Sequence, residues 1–183
     1  MRLFADVEFT AFRDPRMKQL GFPYAPDAKM LSAGLVSEDG QELYIEVHSP
    51  EAWEQASDFV FTKVLAQFGS HPAARVGSSR EAGDVLGDFL ATLPGDLVIC
   101  ADYSDDLSFL MELLDEAGRM GQLRQRLRFE QVDSLVCGSG TESLWDGAFQ
   151  RLEKEAGLLR HHAMLDARAL RVVFTALAGG AQI

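Results

Sequence analysis

The stretch RLFADVEFT, residues 2–10, reads as a buried strand that carries two carboxylates. Leu3, Phe4, Ala5, Val7 and Phe9 make it apolar, and Asp6 and Glu8 interrupt it two positions apart. Side chains alternate along a strand, so these two acids point the same way. Side by side in a crowded place they repel each other, and each resists losing its water. Three remedies exist: a cation, a basic partner, or exposure to solvent. The chain therefore needs a fold in which one end of this strand meets one of the three.

A chain of 183 residues suits one domain, residues 1–183, with a long loop at about 11–29. A chain of this size buries about 70% of its unfolded surface, which allows one sizeable core. Hydrophobic residues at 47% and charged residues at 25% are ordinary for a folded globular protein and argue against disorder. Cys100 and Cys137 form neither a CxxC pair nor a Cys/His zinc spacing, so two reduced thiols are expected. Asp6 and Glu8 fall where a signal peptide would need its apolar segment. No run approaches the ~20 apolar residues of a membrane span. The expected location is the cytoplasm, with no membrane partner. A formal net charge of −11 weighs against broad electrostatic binding to long duplex DNA. It leaves open a site that grips a short strand, and chemistry in which a metal ion brings the positive charge.

Hydrophobic periodicity divides the chain further. Residues 12–29, FRDPRMKQLGFPYAPDAK, read as a loop, because Pro15, Pro23 and Pro26 oppose regular structure. Residues 30–47 hold two apolar runs about Asp39-Gly40, a hairpin signal. With the first strand they can form an antiparallel meander. From Ser49 to Phe68 the pattern is helical, with Ser49 as cap, Pro50 in the first turn, and Val60, Val64, Leu65 and Phe68 at helical spacing. Ser79 reads as the cap of a helix carrying Ala82, Val85, Leu86, Phe89 and Leu90. DLVICA, residues 96–101, is a short buried strand, followed by a helix through Leu107, Leu110, Met111 and Leu114. Residues 122–135 contain a candidate last strand, and Trp145 to Glu155 read as helix. Residues 161–177 are strongly helical and stopped by Gly179-Gly180. The expected fold is α/β, with a mixed sheet of a three-strand antiparallel meander plus parallel strands, flanked by helices.

Two further pieces share the acidity of the first strand. The junction ADYSDDLSFL offers Asp102, Asp105 and Asp106, and the last helical stretch offers Asp166 after His161 and His162. If the first and fourth strands are neighbours, these acids converge at one end of the sheet, where open α/β sheets place their clefts. Hard oxygen ligands suit Mg²⁺ or Mn²⁺. Two such ions ~3.5–4 Å apart form a clamp for phosphoryl displacement, and a nearby His can take the proton of the attacking water. Each piece alone has a structural explanation. Asp105 and Asp106 suit the first turn of a helix, where the dipole favours negative charge. His161 and His162 suit exposed caps.

DVEFT, the acidic junction and H-x-x-x-x-D together resemble the DEDDh-type 3′–5′ exonucleases. LSAGLVSEDGQELYIEV after DVEFT resembles their small bacterial 3′–5′ exoribonuclease-like branch. The resemblance implies a ribonuclease H-like fold and two ions, Mg²⁺ or Mn²⁺. It implies Asp6 and Glu8 as metal ligands, and Asp106, followed by Phe109 and Leu110, as the second-motif ligand, with Asp105 as the alternative. It makes His161 the general base and Asp166, five positions on, a further ligand; His162 fits the spacing less well. Phe9 and Thr10 fall where the terminal nucleotide would sit. On a continuous helix His161 and Asp166 would lie on different faces, so His161 has to precede the helix, and Gly157 permits an irregular approach. The loop Ala11 to Lys29 is longer than the resemblance implies. With Arg13, Arg16, Lys18, Phe22 and Tyr24 it either folds over the site or is a surface insertion whose aromatics pack on the protein.

The implied activity is hydrolysis of phosphodiester bonds at single-stranded RNA or DNA 3′ ends, or in short oligonucleotides; a homodimer is compatible with it. Two other readings stand beside it. One is a degenerate member that binds nucleic acid or protein without cutting. The other is an interaction domain whose acids lie on the surface.

Overall fold

In the computed structural model, which describes residues 1–179, the alternation of the first apolar stretch becomes strand β1 (Arg2–Phe9). Leu3, Ala5 and Val7 enter one core and Phe4 enters another on the opposite face. The hairpin forms as expected: β2 (Met30–Ser37) pairs antiparallel with both β1 and β3 (Glu42–Val47). Gly40 turns it at φ +91°, a conformation costly for a residue with a Cβ.

The expected loop contains a short helix, α1 (Pro15–Gln19). Asp14 accepts from the Arg16 amide as N-cap and Pro15 occupies the first turn. Proline opposes a helix interior, not its first turn, where the amide it lacks would have no partner. Ser49 and Pro50 start a helix as expected, but the segment breaks into α2 (Pro50–Glu54), α3 (Asp58–Lys63) and a 3-10 turn at Leu65–Gln67. A second cap causes the break: the Ser57 hydroxyl accepts from Val60 and opens a new helix. A three-residue strand, β4 (Ala74–Val76), follows and pairs parallel with β3. The cap of α4 (Ser79–Thr92) is Ser78, one residue before the position expected.

The second half runs as β5 (Leu97–Ala101), α5 (Ser104–Glu116), α6 (Met120–Leu123), β6 (Leu127–Gln131), α7 (Asp133–Val136), α8 (Glu142–Ala156) and α9 (Ala163–Ala178). Gly179 caps α9; Gly180, the other half of the expected stop, lies outside the described residues. The result is an α/β fold with a six-stranded mixed sheet in the order β4-β3-β2-β1-β5-β6. β5 lies parallel beside β1, the adjacency on which convergence of the acids depends. Apolar residues of α4 and α5 share a core with Leu3, Ala5 and Val7. Residues of α8 and α9 share the other with Phe4. No helix among the described residues is long and apolar enough to cross a membrane.

The seating of α9 fixes the site. Gly34 of β2 pairs with Asp6 of β1, and a Cβ added at Gly34 would stand 2.4 Å from the Ala163 carbonyl oxygen. Only glycine lets the first turn of α9 lie this close to the strand.

Candidate metal centre

Asp6 and Glu8 project from β1 on the side of Phe4, toward α9, as the alternation requires. The register of β1 against β2 shifts between Glu8 and Phe9, a bulge at the end of the paired strand. Asp102 immediately follows β5, and Asp106 sits in the first turn of α5. Asp6, Asp102 and Asp106 each offer an oxygen within 4.8 Å of the others. Glu8, His161 and Asp166 likewise offer one ligand atom each within 4.8 Å. Residues far apart in sequence thus form two adjoining groups, each able to hold a metal ion.

His161 precedes α9, as the spacing to Asp166 demands. Its φ is +66°, the only left-handed value at a non-glycine among the described residues. Such strain persists only where surrounding contacts enforce it, and it concentrates at functional sites. One contact enforces it here: the His161 amide donates to Asp166 Oδ2 at 3.1 Å. Asp166 therefore shapes the turn that presents His161.

Asp106 is buried at 3% exposure, and Asp6, Glu8 and Asp166 are half-buried. Asp6 Oδ2 and Asp166 Oδ1 are buried without any hydrogen-bond partner. Among the described residues none of the five acids of the two groups makes an ion pair. The electrostatics follow. Burial, then Asp166 and Asp106, holds the Asp6 carboxyl well above the usual carboxylate range. Burial and Asp102 do the same to Asp106, and burial and Glu8 to Asp166. Burial alone pushes Glu8 up to about 7. Orphaned oxygens, hard donors and mutual repulsion fit a divalent cation.

Asp105, the alternative second-motif ligand, belongs to neither group. Its Oδ2 accepts from the Arg13 amide at 3.0 Å, tying the 11–29 segment to α5. Asp102 was absent from the expected ligands. Its signal was its place directly after the apolar run of β5, at the C-terminal end of a parallel strand. Asp106 is buried, so these acids are not all surface charge. His162 is not an exposed cap: it is 1% exposed, its ring tilted against Tyr44 at 4.5 Å between centroids, with neither ring nitrogen bonded. Burial pushes it down to about 4. His161 is lowered by burial, Arg160 and Lys63, which favours the neutral imidazole.

Phe9 and Thr10 line a cavity of about 400 Å³ that also opens onto Glu8 and His161. Phe9 stacks on Phe109 at 5.3 Å. Thr10 is buried, and its hydroxyl accepts from the Lys29 amide at 3.0 Å. Phe12 and Phe22 of the 11–29 segment reach the same cavity, so the segment does border the site. Its two arginines are engaged elsewhere. The Arg13 guanidinium donates to Glu112 at 2.6 Å and to the Ala28 carbonyl at 2.8 Å, over the Phe109 ring. Arg16 pairs with Asp14. Tyr24 is bridged to Phe12 through the backbone rather than lining the cavity.

Cys100 and Cys137 are free thiols, as expected. No protein-family model matches the chain, and no curated protein matches it.

Proposed function

We propose that the protein is a metal-dependent 3′–5′ exonuclease with a ribonuclease H-like fold, acting on single-stranded RNA or DNA ends. One observation carries the reading. Carboxylates from β1, the β5–α5 junction and α9 meet without basic partners, beside a histidine held out of the helix five residues before Asp166.

Asp6, Asp102 and Asp106 would hold one ion, and Glu8 and Asp166, beside His161, the other. Two divalent ions held there would supply an activated water and stabilise the charge on phosphorus and the leaving oxygen. The chain's own part is positional and acid–base. The carboxylates keep a fixed array because β1 and β5 are paired strands and α9 is seated on Gly34. The His161 ring is half-buried and biased toward its neutral form, so one ring nitrogen can accept the proton of the attacking water. Phe9 and Thr10 line the cavity that would seat the terminal nucleotide.

The test incubates the protein with 3′- and 5′-labelled single-stranded RNA and DNA, with Mn²⁺ and with a chelator. Stepwise release from the 3′ end in Mn²⁺ alone is expected. Asp6→Ala and Asp166→Ala should each lower the rate at least ~100-fold with the fold retained by circular dichroism. Full turnover in Asp6→Ala overturns the reading. Binding of the same oligonucleotides without cleavage would instead identify a degenerate member of the fold.

A further inference from the structure

We infer that Glu8, His161 and Asp166 form a zinc-preferring site in which the His161 ring becomes a metal ligand and turnover stops. Zinc at this site is an inhibitor, not the working ion. The inhibition rests on the exonuclease reading, in which the ring must stay free to accept a proton; the zinc site itself does not.

The two ion groups differ in chemistry. Asp6, Asp102 and Asp106 offer three carboxylate oxygens and no nitrogen, a set that suits Mg²⁺, Mn²⁺ or Ca²⁺. Glu8, His161 and Asp166 offer two oxygens and one imidazole nitrogen within 4.8 Å of one another. Imidazole favours Zn²⁺ over Mg²⁺. Three protein ligands, drawn from histidine and carboxylate, with a fourth position left to water make an open zinc site. Among the described residues His161 is the only histidine gathered with two carboxylates in this way. His48 meets a single one, Glu46, at 3.1 Å.

Local structure prepares the nitrogen ligand. The two oxygens of Asp166 have separate duties: Oδ2 accepts from the His161 amide, and Oδ1 is buried with no partner. One carboxylate thus fixes the turn that carries the ring and keeps an oxygen for an ion. The Phe59 ring meets the His161 ring edge-on at 5.0 Å and limits its swing. A side chain already confined loses little freedom on binding. Glu8 and His161 both border the cavity of about 400 Å³, which gives a hydrated ion access to them.

The same three residues therefore serve two states. A hard ion is satisfied by the oxygens of Glu8 and Asp166 and leaves the imidazole free. Zinc commits the lone pair of the ring nitrogen, so His161 no longer offers an acceptor for the proton of water.

The experiment reads binding first. Calorimetry titrates Zn²⁺ and Mg²⁺ separately into the full chain and into His161→Asn. Asparagine tolerates the left-handed backbone at this position, so the variant keeps the turn. The wild type should bind Zn²⁺ at least ~100-fold more tightly than Mg²⁺. His161→Asn should weaken Zn²⁺ binding at least ~10-fold and change Mg²⁺ binding less than about threefold. Cys137→Ser, which removes the exposed thiol, and His48→Ala should leave Zn²⁺ affinity as it was. Co²⁺ in place of Zn²⁺ should give visible absorption bands that change in His161→Asn. With Mg²⁺ in excess, added Zn²⁺ should stop cleavage, and a zinc-selective chelator should restore it. Zn²⁺ no tighter than Mg²⁺, equally tight in His161→Asn, or lost in either control variant overturns the site. Cleavage undiminished by saturating Zn²⁺ overturns the inhibition. Absence of cleavage with every ion, while Zn²⁺ affinity still depends on His161, sinks the exonuclease reading and leaves the zinc site standing.

Discussion

Asp102 and Asp105 sit three residues apart and face different duties. Asp102 offers an oxygen within 4.8 Å of those of Asp6 and Asp106, whereas Asp105 is engaged by the Arg13 amide. Asp102→Asn should therefore weaken Mn²⁺ binding by calorimetry and lower turnover at least tenfold. Asp105→Ala should leave turnover near the wild-type level and cost about 1 kcal/mol in urea unfolding, the ordinary worth of one such hydrogen bond. The reverse pattern would reassign the second-motif ligand. The resemblance singled out four of the five acids that gather here, through the Asp6–Glu8 and His161–Asp166 spacings and the Asp106, Phe109, Leu110 pattern. Asp102 was among the acids expected to converge but outside the ligand set that the resemblance implied, and its place beside Asp6 follows from β5 lying against β1. His162 was misjudged for a related reason: its burial comes from Tyr44 on β3, which no local pattern announces.

At the scale of elements, the meander, α4, β5, α5 and the helical end were readable from apolar periodicity, and their ends from Ser, Pro and Gly. What escaped was short or doubly signalled. β4 has three residues, too few for a period, and exists because it pairs with β3. The break after α2 depends on Ser57 winning the Val60 amide from a continuing helix. The contact of α9 with Gly34 is the element-scale feature with the sharpest consequence. Gly34→Ala would push the first turn of α9 off the sheet, carrying Asp166 and the turn holding His161 with it. The expected result is about 1–3 kcal/mol lost in urea unfolding. Activity should fall well beyond what the unfolded fraction explains, read as the rate under conditions where the variant is folded. Full activity in folded Gly34→Ala would show that α9 does not need this close approach.

Across the whole molecule the acids set how stability responds to pH. Glu8 is raised from an ordinary 4.5 to about 7, and Asp6, Asp106 and Asp166 are raised in the same direction. The folded chain then holds more protons than the unfolded chain over this window, so its stability falls as pH rises through it. His161 and His162 are lowered and oppose this below about 6.5, where the unfolded chain takes up their protons first. In chelator, thermal melts should therefore show lower stability at pH 8 than at pH 6.5, by an amount on the order of 1 kcal/mol. Mg²⁺ should recover the loss, and more so at pH 8, because a cation relieves the repulsion. A metal-free chain equally stable at both values would contradict the buried, unpaired state of these acids. The same arrangement has a consequence for synthesis. Asp6 and Glu8 leave the ribosome long before Asp166, and the geometry that unites them waits for the helix that rests on Gly34. A growing polypeptide would already carry most of the acids yet lack their assembled array, which would arrive only with docking of α9.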